Sequence, residues 1–241
     1  MVTATAYERP TTMTDVFELL ARPGAVVLAG GTRLNGDTSA ERVEMVDLQA
    51  LHLDGIRAEG DRALRIGAMT TLQQIADDER VPAVVREAAR RERPSTLRAQ
   101  GTLGGCVATG DAESELLAAL LVHEAVVHVD SNRAADAIAL EALLAGLPLE
   151  PGHVVTSVAL RTDGSTAAAH TARTPADKAI VAAFARTVQD GRLVALSGVA
   201  RTPVLVEPGE ELHPPGDFRG SSEYRRALAD VLIKRVLEAT S

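Results

Sequence analysis

Cysteine is almost absent from this chain: Cys106 is the only one among 241 residues. A single thiol closes no intrachain disulfide and cannot supply the four thiolates of an iron–sulfur cluster, so any such cluster must stand on another chain. Lysine is nearly as scarce, Lys178 and Lys234 being the only two, and the formal net charge is −8. With no dense Lys/Arg run either, the clustered basic surface of a nucleic-acid-binding protein is excluded. Long hydrophobic runs are missing too. The longest, around Leu116 to Val122, is far short of the ~20 residues a transmembrane helix needs. No apolar stretch follows a basic start near Glu8 and Arg9, so no secretory signal is expected and a cytoplasmic location is. Also absent are the G-x-G-x-x-G and G-x-x-x-x-G-K-[ST] patterns, internal repeats, and any nucleophile, base and orienter constellation of a hydrolase or transferase.

What is present is 46% hydrophobic residues, enough for a packed core, and two short glycine-rich stretches. The first, Ala29-Gly30-Gly31-Thr32, ends the β-branched run Ala25 to Ala29, which reads as a buried strand feeding a tight turn. The second is Thr102-Leu103-Gly104-Gly105. Glycine lets backbone N–H groups approach a ligand closely, and each stretch adds a threonine hydroxyl, so the pair predicts a diphosphate clamp.

Further strands are expected at Val43 to Asp47, Leu64 to Gly67, Ala125 to Val129 and His153 to Leu160. Helices are expected at Thr71 to Ala76, Val81 to Arg91 with Pro82 in its first turn, and Glu113 to Val122. Prolines and a glycine gather between Leu147 and Gly152, which places a domain boundary at 148/149. From Ala179 to Val199 alanine content favours helix, but Asp190-Gly191 between two apolar runs is a hairpin signal, and the hairpin is preferred. Near the end, Ser221 or Ser222 can cap a helix with Leu228, Val231, Leu232 and Val236 on one face, packed on a C-terminal sheet.

Three other groups of residues invite chemistry. Cys106 could be a flavin attachment point or a reactive thiol, but a small buried residue is the better reading. Asp111, Glu113 and Glu115 match no metal-ligand spacing, and acids belong at a helix start. The six histidines are scattered, with His123 and His128 spanning a helix end and a strand, so no zinc or other metal site is expected.

Three motifs in order, Val27 to Leu34, Leu64 to Thr71 and Leu97 to Gly105, together with Asp217 to Arg226, resemble the FAD-binding medium subunit of molybdenum hydroxylases. That is the group of xanthine dehydrogenase and carbon monoxide dehydrogenase. The resemblance covers nearly the whole chain. It implies an α+β fold, with a two-part FAD-binding domain (1–148) and a smaller, shortened C-terminal domain (149–241) of antiparallel sheet and packed helices.

It also implies that Ala29, Gly30, Gly31, Thr32, Arg33 and Leu34 wrap the FAD diphosphate through backbone amides, with Thr102, Leu103, Gly104 and Gly105 doing so from the other side. Thr109 lines the same path, and Glu115 falls where the family's acidic residue meets the adenosine ribose. Lys178 falls where the family approaches the isoalloxazine; it is either a cation for the reduced ring or a solvated lysine at a strand start. Cys106, Ala112, Ala99 and Glu115 replace residues more usual in the family, and Glu207 to Glu211 replaces a longer connection. The implied cofactor is FAD, with the molybdenum cofactor and two-iron two-sulfur clusters on partners, an iron–sulfur small subunit and a molybdopterin-binding large subunit. The implied function is electron transfer from the iron–sulfur partner to an external acceptor. A stand-alone FAD reductase or oxidase, or a degenerate FAD-binding scaffold, are the alternatives.

Overall fold

The computed structural model describes residues 3–34, 41–174, 177–189, 191–207 and 209–240; Asp190 and Pro208, which belong to stretches named above, lie outside these. In chain order the elements are β1 (Thr3–Glu8), α1 (Met13–Leu20), β2 (Ala25–Leu28), β3 (Arg42–Asp47), β4 (Ile56–Ala58), β5 (Ala63–Gly67), α2 (Leu72–Asp77), α3 (Ala83–Glu92), α4 (Ser95–Arg98) and α5 (Leu103–Thr109). There follow α6 (Glu115–Val122), β6 (Val126–Asp130), β7 (Ala135–Ala139), α7 (Leu140–Ala145), β8 (Val154–Arg161), β9 (Thr166–Thr171), β10 (Val181–Val188), β11 (Gly191–Ser197), β12 (Val204–Leu205) and α8 (Ser222–Ala239). The class is mixed α+β. Among the described residues no helix is long and apolar enough to cross a membrane.

The strands form three sheets. A small parallel sheet runs β1-β3-β2, an antiparallel five-stranded sheet runs β4-β5-β8-β6-β7, and an antiparallel four-stranded sheet runs β12-β11-β10-β9. β2 pairs only with β3 and is half-buried, Val27 being 36% exposed. The expected buried strand is thus an edge strand, since an apolar run alone does not distinguish a central strand from an edge one.

Helix starts follow local chemistry. Thr71 and Gln74 form a reciprocal capping box on α2, Ser114 caps α6 and Ser221 caps α8. Every residue of α6 is buried because it lies between α3 and the β10–β11 hairpin, which is why its sequence is apolar all round. On α8 the buried face is Arg225, Ala229, Leu232 and Val236, with Leu228 partly buried behind it. Val231, expected on that face, is 46% exposed: it follows Leu228 by three residues but overshoots the stripe that Ala229 anchors.

The preferred hairpin is present, β10 pairing with β11 from Val188↔Gly191 to Ala182↔Ser197. β10 is buried on both faces. Ala182 and Phe184 face the main core, whereas Val181, Ala183 and Ala185 face α8, the period of two that a strand imposes. Arg186 continues the inward series, and its guanidinium Nε donates to the Val122 carbonyl at the end of α6.

The domain boundary expected at 148/149 falls in the loop between α7 and β8. β8 is inserted between β5 and β6, with Leu64 opposite Leu160 and Val127 opposite Val158. The chain therefore leaves the five-stranded sheet only after Arg161, and β9 begins the second unit at Thr166. Proline and glycine mark a loop between elements equally well inside a domain and between domains, and here Leu147–Gly152 is an internal loop. The second unit has one helix of its own, α8, and borrows α6 for the opposite face of its sheet.

Candidate functional site

The two glycine stretches come together, and they do so backbone against backbone. A Cβ on Gly30 would sit 1.7 Å from the carbonyl oxygen of Gln100, two residues before Thr102, so only glycine allows the first loop to rest against the second. Gly31 has φ +68°, the left-handed region that favours glycine. The amide N–H groups of Gly30, Gly31 and Thr32 have no acceptor among the described residues.

The second stretch is built differently. Thr102 caps α5, accepting a hydrogen bond from the Gly105 amide at 3.2 Å. The Leu103 amide donates to the Thr70 carbonyl (3.0 Å) and the Gly104 amide to the Ala68 carbonyl (2.8 Å), fastening α5 to the end of β5. Gly104 is needed there because its Cβ would lie 2.8 Å from that of Ala68. Of the second stretch's amides, those of Leu103, Gly104 and Gly105 are engaged in positioning α5, while Thr102 keeps its hydroxyl hydrogen and an amide with no acceptor among the described residues.

Between the loops opens a cleft of about 560 Å³. Ala29, Gly30, Gly31, Thr32, Arg33, Leu34, Thr102, Gly104, Gly105 and Thr109 all line it, as do Cys106, Arg93, His153, Arg201, Thr202 and the apolar Leu144, Leu147, Pro148 and Leu149. No aspartate or glutamate is among its lining residues. Among the described residues Arg33, Arg93 and Arg201 make no ion pair and no side-chain hydrogen bond, so the cleft carries positive charge with no carboxylate on its wall. Burial pushes the Cys106 thiol far up, so it stays protonated and is a packing residue of the wall.

Three predicted site residues have no surface on the cleft. Leu103 is fully buried in the core beneath α5. Glu115 is 4% exposed; both its carboxylate oxygens lie 3.1 Å from Arg91 Nε. Lys178 Nζ donates to Asp111 Oδ2 at 2.7 Å. Burial opposes ionisation of Asp111, but the Lys178 hydrogen bond and charge outweigh it and hold the carboxyl below its ordinary value.

Lys178 belongs instead to a seam where the 109–115 segment meets the second unit. Arg219 Nη1 donates to Glu113 at 2.5 Å and its Nη2 to the carbonyls of Lys178 and Ala179. Arg225, 3% exposed, donates to the carbonyls of Ile180 and Gly198 and to Asp217. The Gly198 amide closes the seam on the Ala112 carbonyl at 2.7 Å. Just behind, Glu92 is buried and accepts from the Ser114 hydroxyl (2.9 Å) and the Leu116 amide (3.3 Å); burial pushes its carboxyl up. Among the described residues no group of three or more His, Cys, Asp or Glu could hold a metal ion.

Arg93, His153 and Arg201 are the cleft residues that sequence reasoning missed. They come from the end of α3, the start of β8 and the loop after β11, and nothing in their local sequence ties them to the glycine loops. The signal available was only that Arg93 follows directly on a helix C-terminus near the second motif.

Residues 3–160 match the family model described as the FAD binding domain in molybdopterin dehydrogenase. The carbon monoxide dehydrogenase medium chain of Afipia carboxidovorans is 28% identical, over 96% of this chain and 95% of its own length. YgfM of Escherichia coli K12 is 31% identical, over 93% of this chain and 92% of its own. A chain in the crystal structure of the cyanide-inactivated Cu,Mo-CO dehydrogenase has the same fold with TM-score 0.87 and 25% identity, covering 100% of this chain and 98% of that one. Motif order, fold and whole-chain coverage agree, and the chain belongs to the FAD-binding domain family of the molybdopterin dehydrogenases, whose members are subunits of FAD-dependent oxidoreductases.

Proposed function

We propose that this chain binds FAD in the cleft between the glycine loops and acts as the electron outlet of a molybdenum hydroxylase. It would take electrons from an iron–sulfur partner chain and pass them to an external acceptor. The observation that carries this is the Gly30–Gln100 joint, which leaves the Gly30, Gly31 and Thr32 amides unengaged at an acid-free, arginine-bearing cleft. That donor set suits a dinucleotide diphosphate: free amides and guanidinium groups supply donors and charge, and the apolar Leu144 to Leu149 wall suits a flat ring.

When bound, FAD supplies the redox chemistry that links a one-electron donor to the acceptor. The chain's own residues bind and orient it. Gly30, Gly31, Thr32, Arg33 and Leu34 would hold the diphosphate, Thr102 would donate its hydroxyl hydrogen, and Thr109 would line the path beyond. Arg93 and Arg201 would balance negative charge. Leu103, Glu115 and Lys178 would act behind the wall, keeping α5, α6 and the 178–180 segment in place.

Partner chains are part of the same proposal: an iron–sulfur small subunit and a molybdopterin-binding large subunit. The similar proteins named as medium components support it, among them the nicotine 6-hydroxylase medium subunit of Paenarthrobacter nicotinovorans, 28% identical over 97% of this chain. So does the single cysteine, too few for a cluster. The test is to purify the chain alone and record its visible spectrum with and without added FAD. Flavin bands without NADH oxidation are expected, together with co-purification of an iron–sulfur chain and a molybdenum-containing chain from the native source. Turnover by the chain alone would replace this reading with a stand-alone reductase or oxidase, and failure to take up FAD would remove it.

A further inference from the structure

A second cavity adjoins the cleft. It is a surface groove of about 530 Å³ lined by β12, by residues just before it and by the 210–215 segment, and Arg201 lines both spaces. The fold fixes its walls. β12 pairs with β11, the Val206 amide donates to the Val194 carbonyl at 2.9 Å, and Val206 and Leu212 are buried in the core beneath α8. Apart from Arg201, Glu210, Glu211 and His213 the lining is apolar, with Val199, Val204 and Leu205 on its floor. Charge distinguishes the groove from the cleft, which has no acid on its wall. The diphosphate of a dinucleotide would face Glu210 and Glu211 here and be repelled, whereas an uncharged apolar molecule would not. Among the described residues the His213 ring makes no hydrogen bond, so its N–H is left for a ligand's carbonyl oxygen.

We propose that this groove is the site of the external electron acceptor and that the acceptor it takes is a quinone. The inference rests on the FAD reading above, which supplies the electron donor on the other side of Arg201. A quinone is an uncharged ring with two carbonyls: the ring lies on the apolar floor and one carbonyl accepts from His213. It takes two electrons and two protons from reduced FAD, each carbonyl becoming a hydroxyl while FAD is restored, so the step needs no further reactant. The hydroquinone then has two O–H donors, and the Glu210 and Glu211 carboxylates are acceptors on the same rim.

Menadione, a quinone without a long tail, is the probe. Its binding to the FAD-loaded chain is measured by isothermal titration calorimetry for wild type, His213→Leu and Val204→Glu, with FAD dissociation constants and melting temperatures as controls. Menadione should bind the wild-type chain while FAD stays bound. One lost hydrogen bond corresponds to roughly a tenfold weakening, expected for His213→Leu. A carboxylate on the apolar floor should weaken binding further in Val204→Glu, with FAD affinity unchanged in both variants. If Val204→Glu does not fold, His213→Leu decides. Equal menadione affinities for wild type and the folded variants, no menadione binding by the FAD-loaded chain, or displacement of menadione by NAD would each overturn the inference and leave FAD binding intact. So would displacement of FAD by menadione, which would place the quinone in the cleft. A wild-type chain that takes up no FAD would overturn both.

Discussion

The 109–115 segment separates two polar regions that handle charge in opposite ways. On the cleft side, among the described residues, Arg33, Arg93 and Arg201 make no close ion pair and the Gly30 to Thr32 amides lack acceptors. On the seam side Lys178 meets Asp111, Arg219 meets Glu113 and Arg225 meets Asp217, and Arg219 and Arg225 place further guanidinium donors on backbone carbonyls, the Arg225 Nε alone staying without a partner there. A protein that completes its own hydrogen bonds along one face and leaves them open along the other marks the open face for a ligand. The same contrast separates the two glycine loops. In the first, glycine frees amides; in the second, glycine lets α5 pack on Ala68 while its amides are consumed.

That contrast can be broken at several points. Gly30→Ala should have the largest effect, since its Cβ would overlap the Gln100 carbonyl and drive the loops apart. FAD affinity should fall by more than about a hundredfold, roughly 2.7 kcal/mol, whereas Gly105→Ala, whose Cβ meets only the Thr102 hydroxyl oxygen at 3.1 Å, should cost little. Flavin content of the two purified variants checks this.

Next comes a pH effect away from the cleft. His123 is fully buried, its Nδ1–H donates to the Arg161 carbonyl at 2.6 Å, and burial brings its pKa down to about 4. The unfolded chain therefore binds this proton more readily than the folded one between an ordinary histidine value and about pH 4, so stability falls as pH is lowered through that window. The loss is on the order of 3 kcal/mol. Urea midpoints at pH 7 and 4.5 should differ strongly in the wild-type chain and much less in His123→Asn, which keeps a donor but cannot charge.

A smaller effect distinguishes the cleft's cations. Arg93→Met should weaken FAD binding about five- to tenfold with little change in melting temperature, because among the described residues Arg93 makes no hydrogen bond or close ion pair and lends only its charge to Asp111. Smallest is the seam's buried acid. Burial raises the Glu92 carboxyl, so as pH rises above the ordinary glutamate value the folded state is progressively penalised for ionising it. Glu92→Gln, which can still accept from Ser114 and Leu116, should raise the melting temperature at pH 8 by roughly 2–4 °C.

Much of this was legible in the sequence because it is local. Thr71 with Gln74, Ser114 and Ser221 cap helix starts with their own side chains, and Asp190-Gly191 between two apolar runs signals the hairpin against the helix that alanine content favours. That the glycine loops act together was legible, though not their division of labour, since which amides are free depends on Thr70 and Ala68 across the fold. Less visible was anything set by long-range pairing. The Leu147 to Gly152 punctuation looks like a linker until β8 is seen in the first sheet, and β1, α1, β4, β7 and β9 carry too weak a pattern to stand out. Motif resemblance places Glu115 at the ribose and Lys178 either at the isoalloxazine or in solvent at a strand start. Their partners Arg91 and Asp111, at 3.1 and 2.7 Å, turn both side chains to other work.

With the cofactor on the open face and the units held together by the paired face, removing one charge from each face should have opposite effects. The most direct test is to measure FAD dissociation constants and melting temperatures of Arg201→Met and Lys178→Met side by side. Weakened FAD binding with an unchanged melting temperature for Arg201→Met, and the reverse for Lys178→Met, is the predicted result. Loss of FAD binding by Lys178→Met, with Arg201→Met indistinguishable from wild type, would contradict it.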